Sequence, residues 1–496
     1  MRQLPLGERL HQLAAERSDR AAVHFARTDA TVEVVSWAEL DDRSTQLGRW
    51  LATNGVTVGD LVPVMMRNSP RSLMSLFAVW KVGGVPVPLP YDLPGWEIER
   101  LLAVLHGHGR SHPIITADSE CFDESRKLSS SPLPEVTPPH SSGICSAGST
   151  GQPKIILRKP PGVFGAGSST AVVESWGPLT GPQRILTPAP MHHNNGFVSV
   201  FDLLAGHELV FMERFDAAGL ARLVETRAIT GFTAATIVFQ RVAAILDEHP
   251  ADLSTLQWVI QGASVCPEWL ARRWCDLIGP ERVFFAYGSS EGIGATCARG
   301  DEWLANPGTL GRGLFGTEVR ILDDDGRPVP DGVVGDIYLR SARGISHEYL
   351  GPVAPTPVTA DGFATNGDQG WVDDQGWLFM ADRRQDVIIT GGVNVYPAEV
   401  ESALSEHSSV ADVVVVGLTD PEWGHRVHAI VQPRSGASVD SAELIAYARQ
   451  KLAPAKVPKT VEVVATIERS AAMKVNRRAL AATRELTAKE ATCLTS

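Results

Sequence analysis

Residues 146–154 read SAGSTGQPK, and the fold turns on what this stretch is for. Its small residues leave backbone N–H groups unhindered, its hydroxyls add donors, and Lys154 adds a point charge. Together these can wrap a phosphate. The stretch is not a loop of the GxxxxGK[ST] kind, because Pro153 precedes the lysine and Ile155 follows it. Taken alone, it also reads as a plain surface turn. The flanking sequence has to decide.

Upstream, helix and strand signals alternate. Ser36-Trp-Ala-Glu39 is a capping-box pattern, followed by Leu40, Leu47 and Leu51 at helical spacing and closed by Asn54-Gly55. Leu61–Met66 reads as a short buried strand. Ser69-Pro70 opens a second helix with Leu73, Phe77 and Trp80 on one face, stopped by Gly83-Gly84 before a strand-like VPVPL. Residues 121–142, rich in Ser and Pro, connect this region to the loop. Downstream, QRILTPAP, ELVFM, LQWVIQGAS and RVFFAYG are strand-like with helical stretches between them. This rhythm predicts crossover units and a mostly parallel sheet. Around 310–345, short strands with Asp-Gly turns are more antiparallel in flavour.

Beyond residue 384 a smaller unit follows: a strand at 387–390, a helix from Pro397, strands ADVVVVGL and HRVHAIVQP, a helix SAELIAYARQKL, and TVEVVATI. Its length, about 110 residues, suits an independent α+β domain. The last dozen residues are polar and expected to fray.

Bulk properties narrow the classes. A chain of 496 residues exceeds one ordinary core, so at least two domains are expected. The net charge of −12 argues against general affinity for nucleic acid or an anionic membrane. Cys121, Cys145, Cys266, Cys275, Cys297 and Cys493 show no paired spacing, which predicts reduced thiols in a cytoplasm. Charges interrupt every apolar stretch of the N-terminus, and no run approaches the ~20 apolar residues that span a bilayer. A cytoplasmic protein is expected.

Three further stretches can carry chemistry. YGSSEG, Tyr287 to Gly292, follows an apolar run and reads as a strand end presenting a ring, a hydroxyl and a carboxylate over a sheet edge. Gly288-Ser-Ser290-Glu-Gly292 also satisfies the GxSxG nucleophile elbow, for which Asp368 with His407, His425 or His428 would complete a triad. In the segment 366–401, Asp368 and Arg383 flank a strand-like WLFMA, an arrangement able to grip a sugar diol. ERSAAMKVNRR places Lys474 in a basic cluster near the C-terminus.

In this order and at these separations, the set resembles the adenylate-forming superfamily, in its acyl-CoA synthetase branch. The resemblance runs from SWAELDDRSTQLGRWL and GDLVPVMMRNSP to the C-terminal lysine. It implies an α/β fold: a large N-terminal domain (1–383) of mostly parallel sheets wrapped by helices with a small β-barrel-like part, and a small mobile α+β domain (384–496). It also implies a two-step reaction. A carboxylate attacks the α-phosphorus of Mg-ATP to give an acyl-adenylate and pyrophosphate, and the thiol of coenzyme A then displaces AMP.

Carried onto this sequence, the resemblance has Ser149, Thr150, Gly151 and Lys154 hold the triphosphate. Tyr287 and Gly288 lie near the adenine, with Gly262, Ala263 and Ser264 also in the nucleotide site. Ser290 touches the phosphate, Glu291 helps hold Mg²⁺, and Asp368 and Arg383 bind the ribose. Lys474 matches the movable lysine, which bridges carboxylate and α-phosphate oxygens. Gln385 takes the hinge position, and Gly391-Gly392 line the thiol tunnel after rotation. Some positions depart from the family's pattern: glycines are replaced by Ile155, Asp382 and Met473, and the hinge is usually Asp or Lys.

The acyl pocket is expected to include His193, Asn194, Asn195, Gly196 and Phe197 of PMHHNNGF. Amino-acid-activating relatives place an aspartate where His193 stands, so an uncharged acyl or aryl tail is expected. The motif looks most like that of steroid- and bile-acid-type CoA ligases, which implies a bulky or polycyclic acid. The alternatives are a loader of carrier proteins, an enzyme specialised for the thioester half-reaction, and a hydrolase using Ser290. A homodimer is compatible with the family.

Overall fold

The protein is described by a computed structural model covering residues 4–110, 112–147, 153–165, 167–384, 386–470 and 473–494. A long sheet forms its backbone. The strands Ala21–Ala26, Glu208–Met212, Arg184–Thr187, Gly231–Ala235, Trp258–Gly262 and Val283–Gly288 lie side by side and parallel. Their residues alternate between two cores. Ile185, Leu209, Ile260 and Phe284 pack on one face, whereas Leu186, Val210, Val259 and Phe285 pack on the other. Burial on both faces is why these strands read as continuous apolar runs.

At one end the hairpin strand Val32–Ser36 caps the sheet antiparallel. At the other, direction reverses through Ala295–Arg299 and Thr309–Gly313 into the antiparallel strands Leu378–Arg383, Asp368–Val372, Gly335–Arg340 and Glu318–Leu322. This arm contains the antiparallel region expected around 310–345.

The capped helices form where their signals stand. Ser36 accepts a bond from the Glu39 amide at the start of Trp37–Thr53. Ser69 closes a reciprocal box with Ser72 ahead of Pro70–Lys81. The latter helix connects Leu61–Val64 to Val85–Pro88, and these two strands pair parallel with each other in a sheet of their own instead of joining the large one. The Ser/Pro connector is laid along the first helix, with Arg49 donating to the Ser129 and Ser131 carbonyls.

A second small sheet decides the site. Ser142–Ala147, Pro153–Arg158 and His347–Leu350 form three antiparallel strands with Pro153–Arg158 central.

From Ile388 onward, the chain builds a five-stranded sheet with its own core, including Val395, Val400, Leu404, Val415, Ala429 and Leu444. The expectation of a frayed tail is corrected: Arg477–Leu494 is a helix. Its Ala, Leu, Glu, Lys and Arg are strong helix formers, which outweighs the polarity of the segment. Among the described residues, no helix is long and apolar enough to cross a membrane.

Candidate active site

The carboxyl ends of Trp258–Gly262 and Val283–Gly288 emerge together, because the two strands are parallel and adjacent. That edge is where open α/β sheets bind ligands. Just past the first strand, Ala263 adopts φ +72, and the Ser264 hydroxyl lies 2.7 Å from that of Thr236. At the end of the second, the Tyr287 hydroxyl donates to Asp368 Oδ2 at 2.8 Å. Asp368 is buried and stands directly opposite Arg383 in the strand pair. The sheet edge, Asp368 and Arg383 are thus brought to one place.

Glu291 follows in the turn. Its Oε1 accepts from Lys154 at 3.1 Å and from the Tyr349 hydroxyl at 3.0 Å, and the Lys154 ammonium sits 4.1 Å from the Tyr349 ring centre. Burial pushes the Glu291 carboxyl up, but the adjacent Lys154 charge and the two hydrogen bonds outweigh it and hold the group below its ordinary value. An ionised carboxylate of this kind suits a hard divalent cation, which is usually shared between one or two carboxylates and substrate phosphates. Ser149, Thr150 and Gly151, expected in the same cluster, lie outside the described residues, as does Gln385.

The hydrolase reading does not survive. A nucleophile elbow needs a strand-to-helix turn, yet the segment after Val283–Gly288 returns as the antiparallel strand Ala295–Arg299. Three of the four nominated partners are engaged elsewhere as well. Asp368 holds Tyr287, His407 meets Ser409, and His428 lies between Thr460 and Glu462.

The PMHHNNGF motif is pinned from below. Asn68 accepts from the Met191 amide and donates to the Ala189 and Met212 carbonyls. A Cβ on Gly196 would lie 2.2 Å from the Pro190 carbonyl oxygen, so only glycine fits this approach. Phe197 is fully buried, edge-on to Trp80 and Phe201. Gly196 and Phe197 therefore pack the motif, while His193, Asn194 and Asn195 stay half-buried. Burial, then the nearby charge of Lys474, and then His192 drive the His193 pKa down to about 3. Its Nε2 is buried with no hydrogen-bond partner among the described residues. A neutral imidazole with an idle nitrogen is what a ligand-facing group looks like.

Lys474 reaches this place from the small domain. Arg469 makes a two-pronged pair with Asp412 and donates to the Met473 carbonyl, while the Lys474 amide bonds to the Ser470 hydroxyl. Met473, at φ +60, packs against the core of the large domain. Gly391 (φ +55) and Gly392 (φ +81) form the tight hairpin between Ile388–Thr390 and Val393–Val395. The sequence reading missed Tyr349, which enters only through strand register across from Ile156.

A cation-and-carboxylate cluster at a sheet edge, completed by a lysine from a second lobe, is the layout of the adenylate-forming proteins. A family model described as AMP-binding enzyme matches residues 10–350, and one described as AMP-binding enzyme C-terminal domain matches 399–474, so the chain belongs to this family. It is 31% identical over 465 residues to a feruloyl-CoA synthase of Amycolatopsis sp, covering 90% of this chain and 93% of that protein. A 3-[(3aS,4S,7aS)-7a-methyl-1,5-dioxo-octahydro-1H-inden-4-yl]propanoyl:CoA ligase of Mycobacterium tuberculosis is 34% identical over 344 residues, with 67% of this chain and 64% of that one covered. Among solved structures, an o-succinylbenzoate CoA synthetase from Bacillus subtilis with its acyl-adenylate intermediate superposes with a TM-score of 0.81 at 25% identity. That match covers 97% of this chain and 98% of that chain.

Proposed function

We propose that this protein is an ATP-dependent, AMP-forming acid–CoA ligase. The observation that carries the reading is the placement of Lys474 against the large domain, where the preceding Met473 packs on its core, on the side of the acyl motif. An ammonium there can neutralise the repulsion between an incoming carboxylate and the α-phosphate, and charge neutralisation with alignment is most of what phosphoryl-type transfer asks of a protein.

Lys154, with Ser149, Thr150 and Gly151, holds the triphosphate. Glu291 would hold Mg²⁺, which supplies charge neutralisation on the phosphates when bound. Asp368 and Arg383 hold the ribose, with Tyr287 fixing Asp368 through its hydroxyl. The small domain, hinged at Gln385, then rotates, withdraws Lys474 and presents Gly391-Gly392 to the pantetheine thiol.

The acid is bulky and ring-bearing. The absence of a carboxylate at His193 disfavours an amino acid, and the mycobacterial relative is named for a fused-ring propanoyl acid. Free thiols at Cys121, Cys145, Cys266, Cys275 and Cys297 support a cytoplasmic location.

The test is an acid panel assayed as separate half-reactions: pyrophosphate release with ATP and acid, then acyl-CoA by mass. Pyrophosphate release that depends on a ring-bearing acid, followed by acyl-CoA, upholds the reading. Acyl transfer to a holo-carrier protein but not to CoA would replace it.

A further inference from the structure

Arg158 ends the central strand of the three-stranded sheet. It lies four residues beyond Lys154 on the same face, about 13 Å along the strand at the usual rise. It stands directly opposite His347 on one side and Ser142 on the other, so the three share that face. Arg158 Nη2 donates to Asn194 Oδ1, and its guanidinium lies 5.6 Å from the Phe197 ring centre.

Among the described residues, no carboxylate pairs with Arg158. Some half-buried arginines have a carboxylate (Arg184 has Glu208, Arg469 has Asp412, Arg477 has Glu401 and Arg484 has Glu462), whereas Arg9, Arg71 and Arg434 donate to backbone carbonyls. Burial without a compensating charge brings the Arg158 pKa down to about 10, which still leaves it cationic at neutral pH. An enclosed charge without a counter-charge is costly unless something supplies the missing partner.

A neighbouring group is incomplete in the same way. Ser142 Oγ, opposite Arg158 in register, is a buried polar atom with no hydrogen-bond partner among the described residues. Buried polar groups normally have one. Ser142 and Arg158 thus mark a polar corner beside Asn194 of the acyl motif.

We propose that Arg158, with Asn194, forms a subsite that reads a second oxygen acceptor on the acid, a carboxylate or a ring carbonyl distinct from the carboxylate that is activated. The proposal rests on the acid–CoA ligase reading and narrows its substrate class: the acid is bulky and carries a second oxygen acceptor. Arg158 is then a specificity residue, and the planar guanidinium suits bidentate recognition of such oxygens.

The test compares 3-phenylpropanoate with its 4-acetyl and 4-carboxy ring derivatives, using wild type, Arg158→Met and Arg158→Lys. Expected is a 10- to 100-fold higher kcat/KM for at least one oxygen-bearing acid in wild type, the neutral and anionic arms showing which oxygen is read. Arg158→Met should abolish that preference while leaving the unsubstituted acid within about twofold and KM for ATP unchanged, and Arg158→Lys should restore part of it. No preference in wild type, an equal loss on all three acids, or a raised KM for ATP would overturn the subsite. If wild type activates none of them, the ligase reading is decided by the wider acid panel, and calorimetric binding of the same acids decides the subsite. Tighter binding of an oxygen-bearing acid that is lost in Arg158→Met upholds it, and equal binding overturns it.

Discussion

Lys474 and His193 test each other. Removing an ammonium beside a histidine makes protonation easier, so Lys474→Ala should raise the His193 pKa from its value of about 3. An NMR titration of the imidazole reads this directly, and an unmoved pKa would separate the two residues. The same variant should slow acyl-adenylate formation on the order of 100-fold or more, yet leave thioester formation from preformed adenylate nearly intact. Because His193 stays neutral far above its pKa, it should contribute no inflection to the rate between about pH 5 and 8.

Glu291 is the corresponding anion. Glu291→Gln keeps the shape, removes the charge facing Lys154, and should weaken the response of pyrophosphate release to Mg²⁺ by about 10-fold or more. Asp202 makes a prediction about stability. It is buried, and burial pushes its pKa up to about 7 against the opposing bonds from Thr170 and Ser169. The native state therefore holds this proton more tightly than the unfolded chain. The resulting stability is complete below the ordinary carboxyl pKa and is lost as pH rises through about 7, by up to ~4 kcal/mol. Thermal melts between pH 4.5 and 8 should show this decline flattened in Asp202→Asn.

At the scale of the element, the loop carrying Lys474 is held in tension between backbone and side chain. A left-handed φ at Met473 costs about 1 kcal/mol for a residue with a Cβ. Here the methionine side chain packs on the large domain's core and offsets that cost. Met473→Ala keeps the strain and loses the packing, whereas Met473→Gly loses both. The alanine variant should therefore dock its lysine less well than the glycine variant, by about 1 kcal/mol, read as a lower rate of adenylate formation. The reverse order would mean that strain at this position is unimportant.

At the scale of the whole molecule, single hydrogen bonds are found, among the described residues, between the small domain and the large one. Gln240 donates to the Ala411 carbonyl at 2.6 Å, and Trp269 donates to the Ser405 hydroxyl at 3.1 Å. The Ala398 amide donates to Asp382 at 2.9 Å. Contacts of this kind can part, as the proposed rotation of the small domain requires. Limited proteolysis should cut first near residues 383–386. Gln240→Ala should speed that cleavage, and an acyl-adenylate analogue should slow it.

Local motifs made much of this protein legible from its chain. The capped helices, the doubly buried strands and the Gly-Gly hairpin each carry their cause within a few residues, through capping, apolar runs and positive φ. The sequence by itself therefore determined the α/β character and the family, and it singled out Lys154, Glu291, Asp368 and Lys474 as candidates. It erred at the C-terminal tail, where helix propensity outran polarity. What only the tertiary structure decided is which distant residues share a face. Tyr349 joins Lys154 and Glu291, and His347 flanks Arg158, because an antiparallel register sets His347–Leu350 beside Pro153–Arg158. Register depends on how complete strands pack against the remaining cores, so no short stretch of either strand encodes it.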